Sequence, residues 1–218
     1  MTDKLKVGVL ISGRGTNLQA LIDACAEPEF PATIALVISN VDDAYGLQRA
    51  EKAGIATQVI RHQGFDSRAD FDHALDNALK KSGIDLVCLA GFMRLLTSEF
   101  VDAWRDRMIN VHPSLLPAFK GLDTHQRALD AGVTIAGCTV HFVRVEMDDG
   151  PIIIQAAVPI LPGDDSDRLA ARILEKEHVA YPLALRLIAE NKVTVTDEVV
   201  HVENGAPSAE SLINPSGN

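Results

Sequence analysis

Asn110 and His112 lie two residues apart in the run Met108-Ile109-Asn110-Val111-His112-Pro113-Ser114-Leu115-Leu116-Pro117. In an extended strand alternate residues share a face, so the amide and the imidazole point together while Ile109 and Val111 point the other way. A fixed N–H donor beside a ring that can hold or give a proton is what a developing oxyanion requires. The prolines then restrict the exit of the strand. A His-Pro step at a strand end also serves as a plain structural turn, and these residues alone leave both readings open. Downstream, the strand pattern Thr139–Val145 runs into Glu146-Met147-Asp148-Asp149-Gly150-Pro151. A carboxylate there can orient His112 and favour its cationic form. Acidic residues before Gly-Pro are also ordinary turn chemistry.

A second candidate stands near the start of the chain. The apolar run Val7–Ile11 passes into Ser12-Gly13-Arg14-Gly15-Thr16-Asn17 and then into Leu18-Gln19-Ala20-Leu21-Ile22. A glycine-rich turn that ends at a helix N-terminus presents free backbone N–H groups and the positive end of the helix dipole to an anion. The dinucleotide fingerprint does not fit, because Leu18 replaces its third glycine and the second strand ends in Ser39-Asn40 rather than in an acidic residue. A P-loop needs a lysine where Thr16 stands. What fits is a compact site for one phosphate, with a capped strand-to-helix turn as the structural alternative. If the anion site is real, a side chain at Gly15 would stand where the phosphate sits.

Two further groups of residues have candidate chemistry. Glu177 falls four residues after Ile173 and four before Tyr181, on the inward stripe of a long helical pattern, where a carboxylate wants a partner. An ion pair to a neighbouring Lys or Arg would satisfy it. Cys25, Cys88 and Cys138 sit among apolar residues without the paired spacing of a zinc or redox site, and read as buried thiols. His112, His125 and His141 match no metal-ligand spacing, so no metal is expected.

These residues need a scaffold, and the pattern around them supplies one. Strand-like runs at Val7–Ile11, Ile34–Ile38, Thr57–Ile60 and Leu86–Ala90 alternate with helical runs at Asn17–Ala26, Tyr45–Ala53, Ser67–Lys81 and Ser98–Trp104. That rhythm predicts βαβ units and a largely parallel sheet. Leu86-Val87-Cys88-Leu89 has no polar alternation, as expected of a strand covered on both faces. From Met108 the order changes: strands at Met108–Val111, Thr139–Val145 and Ile152–Val158 lead to the helix Ser166–Ala189 and a hairpin within Val193–Val202. The fold class expected is α/β, a mainly parallel Rossmann-like twisted sheet flanked by helices, with a mixed C-terminal part. One domain over residues 1–202 and a frayed tail over 203–218 complete the outline.

The chain has 218 residues, 47% of them hydrophobic and 23% charged, a balance that excludes disorder and supports a sizeable core. Thirty acidic against twenty basic residues give a formal charge of −10, which argues against a nucleic-acid partner. No apolar run approaches the roughly 20 residues of a membrane span, and no cleavable leader is legible, so a cytoplasmic protein without a membrane partner is expected. Oligomeric state is not legible.

With these motifs assembled, the chain resembles the folate-dependent formyltransferases from about Val7 to Ile188. The resemblance is carried by Ser12–Gln19, Ala90-Gly91-Phe92-Met93-Arg94, Asn110–Pro117, Gly121-Leu122-Asp123-Thr124-His125 and Asp148-Asp149-Gly150-Pro151. Many members have Gly-Gly-Pro after the acidic residue, where this chain has Asp149-Gly150-Pro151, and alignment favours Asp148 over Asp149. The resemblance implies a family fold and a formyl transfer from 10-formyltetrahydrofolate, consumed as co-substrate, to the amine of 5-phosphoribosylglycinamide, both of them small molecules. It implies that Asn110, His112 and Asp148 are catalytic. By the same route Gly15, Thr16, Asn17 and Glu177 hold the phosphoribosyl substrate, with Glu177 facing its ammonium. Arg68, Met93, Arg94, Leu95, Leu96 and Asn110 border the folate, and the Leu116–Pro117 peptide is cis.

Other members that handle formyl folate carry an added tRNA-binding or regulatory domain, and the deformylases lack the Gly-x-Gly-Thr-Asn loop. A phosphosugar-binding regulator on the same scaffold is a rival of a different class, and it would not need the Asn110, His112 and Asp148 set.

Overall fold

The computed structural model describes residues 4–203, 205 and 212–214. Its strands and helices follow in the order β1 (Leu5–Ile11), α1 (Thr16–Cys25), β2 (Ala32–Ser39), α2 (Tyr45–Lys52), β3 (Thr57–Val59), α3 (Arg68–Lys81), β4 (Leu86–Leu89), α4 (Ser98–Ala103), β5 (Met108–His112), α5 (Thr124–Asp130), β6 (Ile135–Phe142), β7 (Ile152–Pro159), α6 (Ser166–Ala189), β8 (Val193–Thr196) and β9 (Val199–Val202). Seven strands form one sheet in the order β3-β2-β1-β4-β5-β6-β7. Pairing is parallel from β3 through β5 and antiparallel from β5 through β7. β8 and β9 form a separate antiparallel hairpin. The expected α/β architecture is the observed one.

Two apolar layers explain why the early strands lack polar alternation. Val7, Val9 and Ile11 face a core shared with Leu18, Leu21, Ile173 and Tyr181, whereas Leu10 faces the layer of Phe71, Leu75 and Leu79. Every residue from Val7 to Ile11 is buried, so both faces of β1 are covered by helices. On β5, Ile109 and Val111 turn to the first core, which leaves Asn110 and His112 on the opposite face.

α6 is the longest helix, and its bounds match those read from the sequence. Asp165 caps it by accepting a hydrogen bond from the Arg168 backbone N–H at 2.8 Å. Tyr181, fully buried, directs its hydroxyl to the carbonyls of Leu89 (3.0 Å) and Ile109 (3.2 Å), which ties the helix to β4 and β5.

The differences from the sequence reading are local. α5 is a helix that the periodicity does not announce, in a stretch read only as a motif. β6 begins at Ile135 rather than Thr139 and ends at Phe142 rather than Val145. Gly137 lies inside it because a Cβ there would stand 2.0 Å from the Ala156 carbonyl oxygen of β7. Most of the stretch from Glu203 read as a tail lies outside the described residues. Within it, Asn214 donates its side-chain amide to the carbonyls of Thr134 (2.6 Å) and Ile160 (3.0 Å). The Leu116–Pro117 peptide is cis, as the resemblance implies.

Candidate active site

β1 and β4 are neighbours although the chain winds from β1 toward one sheet edge and then returns past it. In an open α/β sheet the crevice at the carboxyl ends of strands at such a reversal is where ligands bind. Three of the candidate segments leave the sheet there: Ser12–Gly15 after β1, Gly91–Thr97 after β4, and His112 at the end of β5. The first two are stitched together. Ser12 donates its backbone N–H to the Gly91 carbonyl (3.1 Å), and its hydroxyl accepts from the Met93 N–H (2.8 Å) while donating to Asn40 Oδ1 (2.6 Å).

The glycine loop ends at Gly15, which is left-handed at φ 68° and precedes α1 without a side-chain cap. The first N–H groups of α1 therefore have no capping side chain, the condition for an anion site. The reason for Gly15 differs from the one expected. A Cβ at Gly15 would meet the Gly46 Cα of α2 at 2.6 Å, whereas a Cβ at Gly13 meets nothing within 4 Å. Gly15 thus serves the turn and the close approach of α2, and Gly13 is the position whose missing side chain leaves open space. Thr16 begins α1. Asn17 spends its side-chain N–H on Glu177 Oε2 at 2.7 Å, and its Oδ1 is buried without a partner. Glu177 is buried, and burial holds its carboxyl above the usual range, opposed by the hydrogen bond from Asn17. Glu177 consequently meets Asn17 in the first turn of α1, not the Lys or Arg that the sequence alone allows.

Antiparallel pairing sets the second half of the site. Asn110 stands opposite His141, and His112 opposite Thr139, so all four side chains share one face of β5 and β6. His141 Nδ1 donates to the Phe142 carbonyl at 2.8 Å, which leaves Nε2 to accept from the Asn110 amide at 3.3 Å. Burial pushes the His141 imidazole below its ordinary value, as the neutral ring of that tautomer requires. His112, also buried, donates from Nε2 to the Phe119 carbonyl at 3.0 Å, and its Nδ1 lies 3.3 Å from Asp148 Oδ2. Both ring nitrogens face acceptors, so the doubly protonated ring satisfies both contacts.

Asp148 is fixed in turn. Its Oδ2 accepts the Gly121 N–H at 2.8 Å, and its Oδ1 lies 3.8 Å from His141 Nε2. Asp149 turns outward to Lys120 on the surface. Of the two acidic residues, Asp148 is the one beside His112.

The turn over His112 is held from below. Thr139, fully buried, donates its hydroxyl to the Ser114 carbonyl (2.7 Å) and accepts from the Leu116 N–H (3.0 Å) and Gln155 Nε2 (3.1 Å). Thr139 and Gln155 are site-supporting residues that the sequence reading missed, and it weighed His141 only as a metal ligand. The alternation Thr139, His141 carries a signal, but only once β5 and β6 are known to pair.

The folate-side candidates form a third group. Met93 and Leu95 are 69% and 62% exposed, an unusual state for large apolar residues at the mouth of a crevice. Arg94 is exposed and Leu96 packs on the second core. Arg68 is the exposed first residue of α3. Among the described residues no three His, Cys, Asp or Glu side chains gather as a metal would need, and no helix is long and apolar enough to cross a membrane.

The formyl transferase family model matches residues 5–185. The chain belongs to that family. Within it, the chain is 44% identical over 201 residues to phosphoribosylglycinamide formyltransferase of Haemophilus influenzae, covering 92% of this chain and 95% of that one. It is 51% identical over 194 residues to the trifunctional purine biosynthetic protein adenosine-3 of Gallus gallus, covering 89% of this chain but only 19% of that relative's length. The solved structure of glycinamide ribonucleotide transformylase 1 from Symbiobacterium toebii superposes with a TM-score of 0.91 at 49% identity, over 93% of this chain and 96% of that one.

Proposed function

We propose that the chain transfers the formyl group of 10-formyltetrahydrofolate to the primary amine of 5-phosphoribosylglycinamide. The products are formylglycinamide ribonucleotide and tetrahydrofolate, a step of purine synthesis. The observation that carries the reading is the junction of two unlike sites in one crevice. A loop suited to a single phosphate leaves the same edge of the sheet as a group of half-buried Asn110, buried His112 and half-buried Asp148 suited to a tetrahedral oxyanion.

The substrate phosphate is held by backbone N–H groups of Gly15, Thr16 and Asn17, and Glu177 receives the glycyl amine end. Folate lies along Arg68 and Met93–Leu96, with its formyl group next to Asn110. An α-amino group titrates near roughly 8, so a fraction of the amine is neutral and nucleophilic at cellular pH. Its nitrogen attacks the formyl carbon, and the carbonyl electrons move to oxygen. The Asn110 amide and the His112 imidazolium stabilise that oxyanion, and Asp148 stabilises the imidazolium. Collapse breaks the bond from carbon to folate N10, the amine loses its proton, and N10 gains one, with His112 as the group in reach to relay it. In this scheme the Nε2 contact to Phe119 is exchanged for substrate. Holding two substrates in register supplies a large part of the acceleration.

The test is absorbance-monitored turnover of 10-formyl folate with and without phosphoribosylglycinamide. Folate product that appears only with the acceptor supports the reading. Product formed equally without it identifies a hydrolase of formyl folate instead. Binding of the phosphosugar with no turnover at all identifies a regulator.

A further inference from the structure

We propose that Asp72 is a positioning residue for the folate substrate, because its buried carboxylate clamps the Gly91–Thr97 segment to α3. The inference rests on the folate role proposed above for Arg68 and Met93–Leu96. Asp72 is 2% exposed, and its Oδ2 accepts the Thr97 backbone N–H at 2.6 Å. Its other oxygen is buried with no partner. A buried acceptor left unsatisfied is destabilising, so a carboxylate is an expensive way merely to fill space. Neighbouring Asp76 is engaged elsewhere, by Lys80 at 2.7 Å and by the Trp104 indole at 3.0 Å. Among the described residues, the bond from Thr97 is the one hydrogen bond Asp72 receives.

Thr97 is a pivot. Its hydroxyl accepts the Phe100 N–H at 3.4 Å and so caps α4, while its own N–H goes to Asp72. The stretch from Met93 to Leu96, exposed as far as Leu95, is thus held at two points: the Ser12 hydroxyl at Met93 and the Asp72 carboxylate at Thr97. Arg68 lies four residues before Asp72 on α3, on the same helix face and about 6 Å away along the axis. Asp72 therefore ties one wall of the folate crevice, the 93–96 segment, to the other, the first turn of α3. Among the described residues it makes no hydrogen bond to the β5–β6 group or to the glycine loop.

Cutting the tie should loosen folate binding and leave the chemistry intact. In Asp72→Ala the KM for 10-formyltetrahydrofolate should rise about tenfold or more, with kcat and the phosphosugar KM within about threefold of wild type. Asp72→Asn keeps an acceptor oxygen for Thr97 and should recover most of the folate affinity. If the alanine variant does not fold, Asp72→Leu removes the same acceptor while keeping the buried volume filled and leaving the Thr97 cap of α4 in place. An unchanged folate KM in a folded variant overturns the proposal, as does an equal rise in both KM values or a fall in kcat alone. The wild type separates the two readings: its acceptor-dependent turnover tests the proposed function, and the variants test only the clamp.

Discussion

The parallel and antiparallel parts of the sheet contribute to the crevice in different ways. At the ends of β1 and β4 the contribution is mostly backbone: an uncapped helix start, a left-handed Gly15 and N–H groups stitched by Ser12. At β5 and β6 it is side chains, four of them aligned by ladder register, with His112, Thr139 and His141 buried and Asn110 half-buried. A backbone site tolerates side-chain change until a Cβ collides with something. A register-built site fails with the loss of one functional group. The contrast follows from strand direction: parallel strands end together and offer loops and helix starts, whereas an antiparallel neighbour sets side chain against side chain.

Substitutions can break or sharpen that contrast. The largest effect is expected for His112→Ala, which should lower turnover by about 10²-fold or more with little change in either KM. Steady-state kinetics decide it, and near-normal turnover would remove His112 from the mechanism.

Next comes the acidic pair. Asp148→Asn should reduce turnover by roughly 10- to 100-fold, because the neutral amide no longer supports an imidazolium, while Asp149→Asn should stay within about twofold. Equal losses in the two variants would contradict the geometry.

On the backbone side, Gly13→Val should weaken phosphosugar binding about tenfold, a loss of roughly 1.4 kcal/mol, without affecting the melting temperature. Gly15→Ala should instead destabilise the fold, since a left-handed non-glycine residue costs about 1–2 kcal/mol before the contact with Gly46 is counted. Calorimetric titration together with thermal melts distinguishes the two, and a reversed pattern would put the open side of the loop at Gly15.

The smallest effect concerns pH. Burial raises the Glu177 carboxyl above the ordinary carboxylate range, so its protonated form is favoured in the folded state relative to the unfolded one. Any stability from that preference is present below the unfolded value and is lost as pH rises through the folded value. Glu177→Gln removes the titration, so its stability relative to wild type should increase as pH rises from about 4 and then level off. Denaturant midpoints across pH read this directly; a flat difference would mean that Asn17 fully compensates the burial.

Much of this was legible in the residues. β1 and β4 announce themselves because strands covered on both faces are continuous apolar runs, and α6 because its stripe spans Leu169, Ile173, Tyr181 and Leu185. Asn110 and His112 are legible as a pair because two-residue spacing means one face. α5 was not legible. It is short and lies between Gly121 and Gly132, and Arg127 secures its start by donating to the carbonyls of Lys120 (2.6 Å) and Leu122 (3.1 Å). His141 and Thr139 could not be read as site residues because register is a property of two strands, and neither strand alone encodes it. The reason for Gly15 stayed hidden in the same way, since Gly46 approaches from a different helix.

The hydrogen bond between Asn17 and Glu177 joins residues 160 positions apart. Closing a loop of that length costs entropy that grows with the logarithm of its span, and distant contacts form after nearby ones have reduced the search. On a ribosome, the glycine loop emerges 160 residues before its partner carboxylate exists. The glycine-loop side of the crevice is therefore completed only once α6 is in place, and a nascent or truncated chain that ends before α6 carries the loop without its partner.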